Sequence, residues 1–132
     1  MNAKGKEDLL NASEVKNGSM TATYIKNRFI NSLKSITLNI KSEICIGKLM
    51  CYEVNQESNN KVFTKNDLEK LLGEKFDITI DDNDYENANN SIIKIKNCYM
   101  YKYSHFISAG NIRMIQYEFS FQKENKQEII KS

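Results

Sequence analysis

Apolar residues recur along this chain with a period of two far more often than with a helical period. Thr21, Thr23 and Ile25 alternate with Met20, Ala22 and Tyr24, which predicts a strand, and residues 26–28 supply a turn. From Phe29 to Lys41 the pattern slips: Ile36, Leu38 and Ile40 share one parity while Phe29 and Leu33 take the other, so a bulge is expected. Residues 43–54 form a third apolar segment, broken by Gly47, and 55–60 a polar loop. Segments 75–80, 91–106 and 111–122 also read as strands, with 107–111 the turn between the last two. In 91–106, plain alternation puts Ile93, Ile95, Tyr99, Tyr101 and Tyr103 on one face and Ile92, Lys94, Lys96 and Lys102 on the other. In 111–122, Ile115, Tyr117, Phe119 and Phe121 oppose Gln116, Glu118 and Ser120.

A single helix stands out. Thr64 is a good N-cap, Asp67 three residues on completes a short capping box, and Phe63 and Leu68 occupy the staple positions. Leu68, Leu71 and Leu72 make an apolar stripe, and Gly73 stands where a C-cap glycine belongs. A helix this short needs docking to persist. Residues 11–15 can form one helical turn in an otherwise polar arm. The expected fold is mainly β: an antiparallel barrel or sandwich with one short α-helix at about 65–72. The arm covers residues 1–18, the β domain 19–122, and a frayed polar tail 123–132.

Length and composition narrow the function. A chain of 132 residues fits one domain and buries roughly two-thirds of its unfolded surface. A net charge of +2, with Arg28 and Arg113 the only arginines, gives little support for sequence-specific nucleic-acid reading. Cys45, Cys51 and Cys98 make an odd count without a CxxC pair, which argues against a disulfide framework or a zinc site and fits a reducing compartment. No signal-peptide core follows Met1, and no apolar run reaches the ~18 residues of a membrane helix, so no membrane partner is expected.

Candidate chemistry is sparse. Asp81, Asn83 and Tyr85 fit positions one, three and five of a calcium loop. However, Glu86 stands where glycine is required and Ile92 where a bidentate glutamate is required, so residues 81–90 read as a solvated loop. His105, the one histidine, has Ser104 and Ser108 close in sequence but no nucleophile elbow. No phosphate, dinucleotide or metalloprotease motif is present, and neither catalysis nor a cofactor is expected. A single-strand nucleic-acid platform of the OB type is the rival reading. It pairs aromatic rings with a basic track, but alternation puts Tyr99, Tyr101 and Tyr103 on the face opposite Lys94, Lys96 and Lys102.

Two stretches, residues 11–48 with their Gly47-Lys48 end and residues 76–121 with Phe76-Asp77-Ile78 and Phe119-Ser120-Phe121, together resemble the tail tube proteins of contractile phage tails and of related phage-tail bacteriocins. The first is "NASEVKNGSMTATYIKNRFINSLKSITLNIKSEICIGK", residues 11–48. It resembles the family's opening arm, two strands and a glycine-lysine element. The second, residues 76–121, carries Phe76-Asp77-Ile78, an acidic loop, Lys96-Asn97-Cys98, a hairpin, and Phe119-Ser120-Phe121 in the family's order and spacing. Residues 49–63 depart from the family, being short and without glycine or tryptophan, which points to a specialised ring at the tube's end or baseplate.

The resemblance implies hexameric rings that stack into a conduit for DNA or ions, in a virion tail made in the bacterial cytoplasm. Within a ring it implicates Phe76, Asp77, Ile78, Ile80, Ile93, Ile95, Tyr99 and Tyr101; between rings, the arm and residues 41–61, including Val15, Ile44, Ile46 and Tyr52. The implied partners are further copies of the chain, the tail sheath, the tape-measure protein, and baseplate or terminator proteins. DNA would pass without specific binding.

Overall fold

The computed structural model describes residues 13–17, 21–41, 43–84 and 89–130. Nine strands dominate these residues: β1 (Ser13–Asn17), β2 (Thr21–Ile25), β3 (Arg28–Phe29), β4 (Leu33–Asn39), β5 (Ile44–Tyr52), β6 (Lys75–Asp84), β7 (Asn89–Ser108), β8 (Ile112–Gln122) and β9 (Lys126–Ile130). One short helix, α1 (Lys65–Glu69), lies between β5 and β6. The strands form one antiparallel sheet in the order β1-β4-β5-β8-β7-β6-β2-β3, with β9 added to β7. The fold is therefore mainly antiparallel β with a single short helix, as the alternation predicts.

The sheet is curled but not closed into a barrel. Its inner face carries Ile36 and Leu38 of β4, Cys45, Leu49 and Cys51 of β5, and then, across β8, β7 and β6, residues down to Ile25 of β2, all in one core cluster. Closure fails because β3 is only two residues long. Its free side is bridged by residue Val62 rather than by a strand. Phe63, Leu68 and Leu71 complete the core from the helical segment.

Local chemistry accounts for the connections. Lys26 and Asn27 both take positive φ in the two-residue turn joining β2 to β3, the geometry that suits strand twist. Gly110 and Asn111 do the same at the β7–β8 turn. The capping box of α1 forms as predicted: Thr64 Oγ1 accepts from Asp67 N at 3.3 Å, and Thr64 N donates to Asp67 Oδ2 at 2.9 Å. The helix stops at Glu69, so Leu72 sits beyond it and is exposed rather than in the docked stripe, while Gly73 takes φ +80°.

Four expectations are corrected. Ser13–Asn17 is strand paired to β4, not part of a helical turn; residues 11 and 12 lie outside the described residues. The tail is not frayed throughout, because β9 pairs with residues 91–95 of β7. Gly47 does not break β5, which runs unbroken over nine residues. The acidic stretch is ladder rather than loop as far as Asp84 and Asn89, with residues 85–88 outside the described residues. Backbone pairing continues there because the alternating partners Asp81–Ile92 and Asp82–Ser91 keep the register of the strands below them.

The bulge with most consequence lies in β7. Between the pairs Phe76–Cys98 and Ile78–Ile95, Asp77 alone faces Lys96 and Asn97. Asn97 takes φ 56°, and its N–H donates to Asp77 Oδ1 at 3.0 Å. The buried parity of β7 thus shifts from Ile93 and Ile95 to Cys98 and Met100. A second shift, at Tyr101, follows between the pairs Met100–Phe119 and Lys102–Glu118.

Candidate assembly interface

β7 runs for 20 residues, and its two halves have different neighbours. Residues 89–99 are paired to β6, with β9 on the other side of 91–95, whereas 102–108 are paired to β8 alone among the described residues. On the open side, the turn after α1 reaches as far as Met100, where Gly73 N donates to Met100 O at 2.8 Å. Beyond it the backbone edge is free, and an unpaired edge is a template for another strand. This edge carries Tyr101, Phe106 and Ile107, and Ile112 follows across the turn; all four are exposed. Among the described residues β1 and β9 have unpaired outer edges as well.

One side-chain hydrogen bond joins this hairpin to the segment after β5. His105 Nδ1 lies 2.9 Å from Glu53 Oε1, and since a carboxylate only accepts, the ring proton sits on Nδ1. That hydrogen bond holds the Glu53 carboxyl below its usual pKa. Glu53 N also donates to Arg113 O at 3.0 Å, tying the end of β5 to the hairpin. Among the described residues no hydroxyl or thiol is hydrogen-bonded to the His105 ring, so the pair lacks a nucleophile.

Two further charged clusters serve the fold. Asp67 gathers Ser58 Oγ at 2.9 Å, the Thr64 cap and Arg28 at 3.4 Å, and Arg28 also stands 4.7 Å from the centre of the Phe63 ring. Burial works to raise the Asp67 pKa, but the bonds from Thr64 and Ser58 and the Arg28 charge bring it below normal. Glu118, nearly buried on the outer face of β8, is held by Lys102 at 3.2 Å, Tyr101 at 3.3 Å and Gln116 at 3.4 Å. There too burial pushes the pKa up, and Lys102 and the hydrogen bonds outweigh it. Among the described residues no group of three or more histidine, cysteine, aspartate or glutamate side chains could hold a metal. No helix of the described residues is long and apolar enough to cross a membrane.

The residues singled out from sequence divide sharply. Phe76, Ile78, Ile80, Ile93 and Ile95 are buried in the core of this chain, so they are not on its surface. Asp77, Tyr99 and Tyr101 are exposed. Ile44 and Tyr52 are exposed at opposite ends of β5, Ile46 is half-buried between them, and Val15 is placed by its backbone alone, opposite Thr37. Phe106, Ile107 and Ile112 were not distinguished by sequence reasoning. Their signal is apolar side chains on both parities beside a turn, where only one parity can serve the core. No protein-family model matches this chain, and no curated protein matches it either.

Proposed function

We propose that this chain is a non-enzymatic structural subunit of a phage tail or phage-tail-like particle. Its copies join into rings of the inner tail tube or of a ring at the tube's end, a conduit for DNA or ions. The reading starts from the likeness of residues 11–48 and 76–121 to tail tube proteins. The observation that carries it is the half-paired β7: residues 102–108 offer a free backbone edge flanked by exposed Phe106 and Ile107. The sheet is open, with β1 another unpaired border among the described residues, and a head-to-tail joint between two different borders closes into a ring when its rotation allows. On this reading the sheath, tape-measure and baseplate or terminator proteins are its partners, the virion tail is its location, and no cofactor is involved.

Negative-stain microscopy of the concentrated protein, with mass from light scattering on the same sample, tests this. Rings or hollow tubes are expected, and Ile107→Pro, which removes a backbone donor from the free edge, should abolish them while the melting transition persists. A wild-type protein that stays monomeric over the whole concentration range, indistinguishable from Ile107→Pro, overturns the reading.

A further inference from the structure

The bulge at Asn97 removes the objection that alternation raises against a nucleic-acid platform. With the parity shifted, Tyr99 and Tyr101 leave the core face and stand outside, 41% and 39% exposed, on the same side as Lys94, Lys96 and Lys102. Lys75 is the direct cross-strand partner of Tyr99. The row along β7 thus runs from two lysines to two tyrosines, about 3.3 Å of strand per residue.

On this face four lysines, Lys75, Lys94, Lys96 and Lys102, stand against three carboxylates, Asp77, Asp81 and Glu118, a small excess that favours an anion. Asp77 already accepts from Asn97 N, and Glu118 is occupied by Lys102, Tyr101 and Gln116. Among the described residues, Lys75, Lys94 and Lys96 make no ion pair, so their charge is available. The hydrogen bond to Glu118 fixes the Tyr101 ring before any ligand arrives, which lowers the ordering cost of stacking. Beside the row, a cleft of about 500 Å³ opens between Tyr24, Lys26, Lys75, Asp77 and Asn97, with room for a sugar or base.

Exposed rings beside unpaired lysines on two neighbouring strands match a flexible chain of phosphates and stackable bases. A duplex fits less well, since its bases are covered. We infer that the outer face of β6 and β7, centred on Tyr99 and Tyr101, binds single-stranded nucleic acid without sequence preference. This goes beyond the assembly reading and does not depend on it.

Fluorescence anisotropy of the full chain with a labelled oligothymidine tests the inference. Binding should weaken with salt at a log–log slope of about −2, as three lysine–phosphate contacts require. Tyr99→Ala and Tyr101→Ala should each weaken it about ten-fold, Tyr99→Ala without lowering the melting temperature appreciably, and Lys96→Ala should flatten the slope by about 0.7. An unlabelled duplex should compete poorly. Three results overturn the inference. One is no binding of the oligonucleotide at low salt. Another is competition by inorganic polyphosphate as strong as that of the oligonucleotide, with the tyrosine variants binding normally, which leaves charge alone. The third is a second copy seated on this face in light scattering, released by Tyr99→Ala.

Discussion

Gly47 lies under the ring of Phe119. The two are cross-strand partners in β5 and β8, and a Cβ at position 47 would enter the ring. Phe119 is fully buried and packs against Phe76 and Phe121 at centroid distances of 5.6 and 5.9 Å, so it has nowhere to retreat. Gly47→Ala should therefore cost about 1–3 kcal/mol, as overpacking does. Urea unfolding should show a lower midpoint at unchanged slope. Adding Phe119→Leu should give a double mutant less destabilised than the sum of the two single changes, because the smaller side chain vacates the site. Additive costs would mean that Gly47 is there for another reason.

The β7 bulge makes a second prediction. Asn97 holds φ 56°, a region that asparagine and glycine tolerate and β-branched residues do not. Asn97→Gly should leave stability within about 0.5 kcal/mol, while Asn97→Val should lower it by about 1–2 kcal/mol. If valine is accepted freely, the strand has slipped register. Tyr99 would then turn inward, and its tyrosine fluorescence should lose accessibility to a quencher.

Much of the fold was legible in the sequence, and the misses have physical causes. β2, α1 with its capping box, and β8 follow local rules: strict alternation, a threonine–aspartate pair three apart, and alternating aromatics. β7 defeated the same reasoning because period-two counting assumes an unbroken ladder, and neither Asn97 nor Tyr101 announces that it is an inserted residue. The extra residue at Asn97 reverses the faces as far as Tyr101, where the second restores them and Tyr103 again meets the core. Gly47 misled in the opposite direction. Sequence offers glycine as a break, whereas here it makes room for a ring contributed from 72 positions further along the chain. The free edge of β7 depends on where β6 stops pairing, a tertiary fact that no local pattern carries.

The cysteines offer a chemical check of the core. All three are buried as free thiols, and burial pushes Cys51 and Cys98 up to about 12. Alkylation proceeds through the thiolate, so iodoacetamide at pH 8 should label the folded protein negligibly within the time that labels a free thiol. In denaturant, mass spectrometry should find three added groups on the chain. Rapid labelling of the native protein at Cys98 would mean that the bulged strand opens locally.

Acid sensitivity should be traceable to Asp67. Its carboxylate caps α1 through Thr64 and links Ser58 and Arg28, so the helix, the 55–61 segment and the start of β3 share one acceptor. Its folded pKa lies below the ordinary value, and so does that of Glu118. A depressed carboxylate stabilises the fold fully above its unfolded pKa, about 4, and the contribution fades as pH falls through the lower folded value. Stability should accordingly be flat from neutral pH to about 5 and decline below about 4. Asp67→Asn should lower the plateau and flatten the decline, because the variant no longer titrates at this site. Thr64→Ala should lower the plateau by about 1 kcal/mol, the usual cost of a lost N-cap, while keeping the acid limb. The two variants thus separate the cap from the charge. If denaturant midpoints at pH 7 and pH 3 fall equally in Asp67→Asn and wild type, the Asp67 cluster is not what acid disrupts, and the Glu118–Lys102 pair becomes the group to change next.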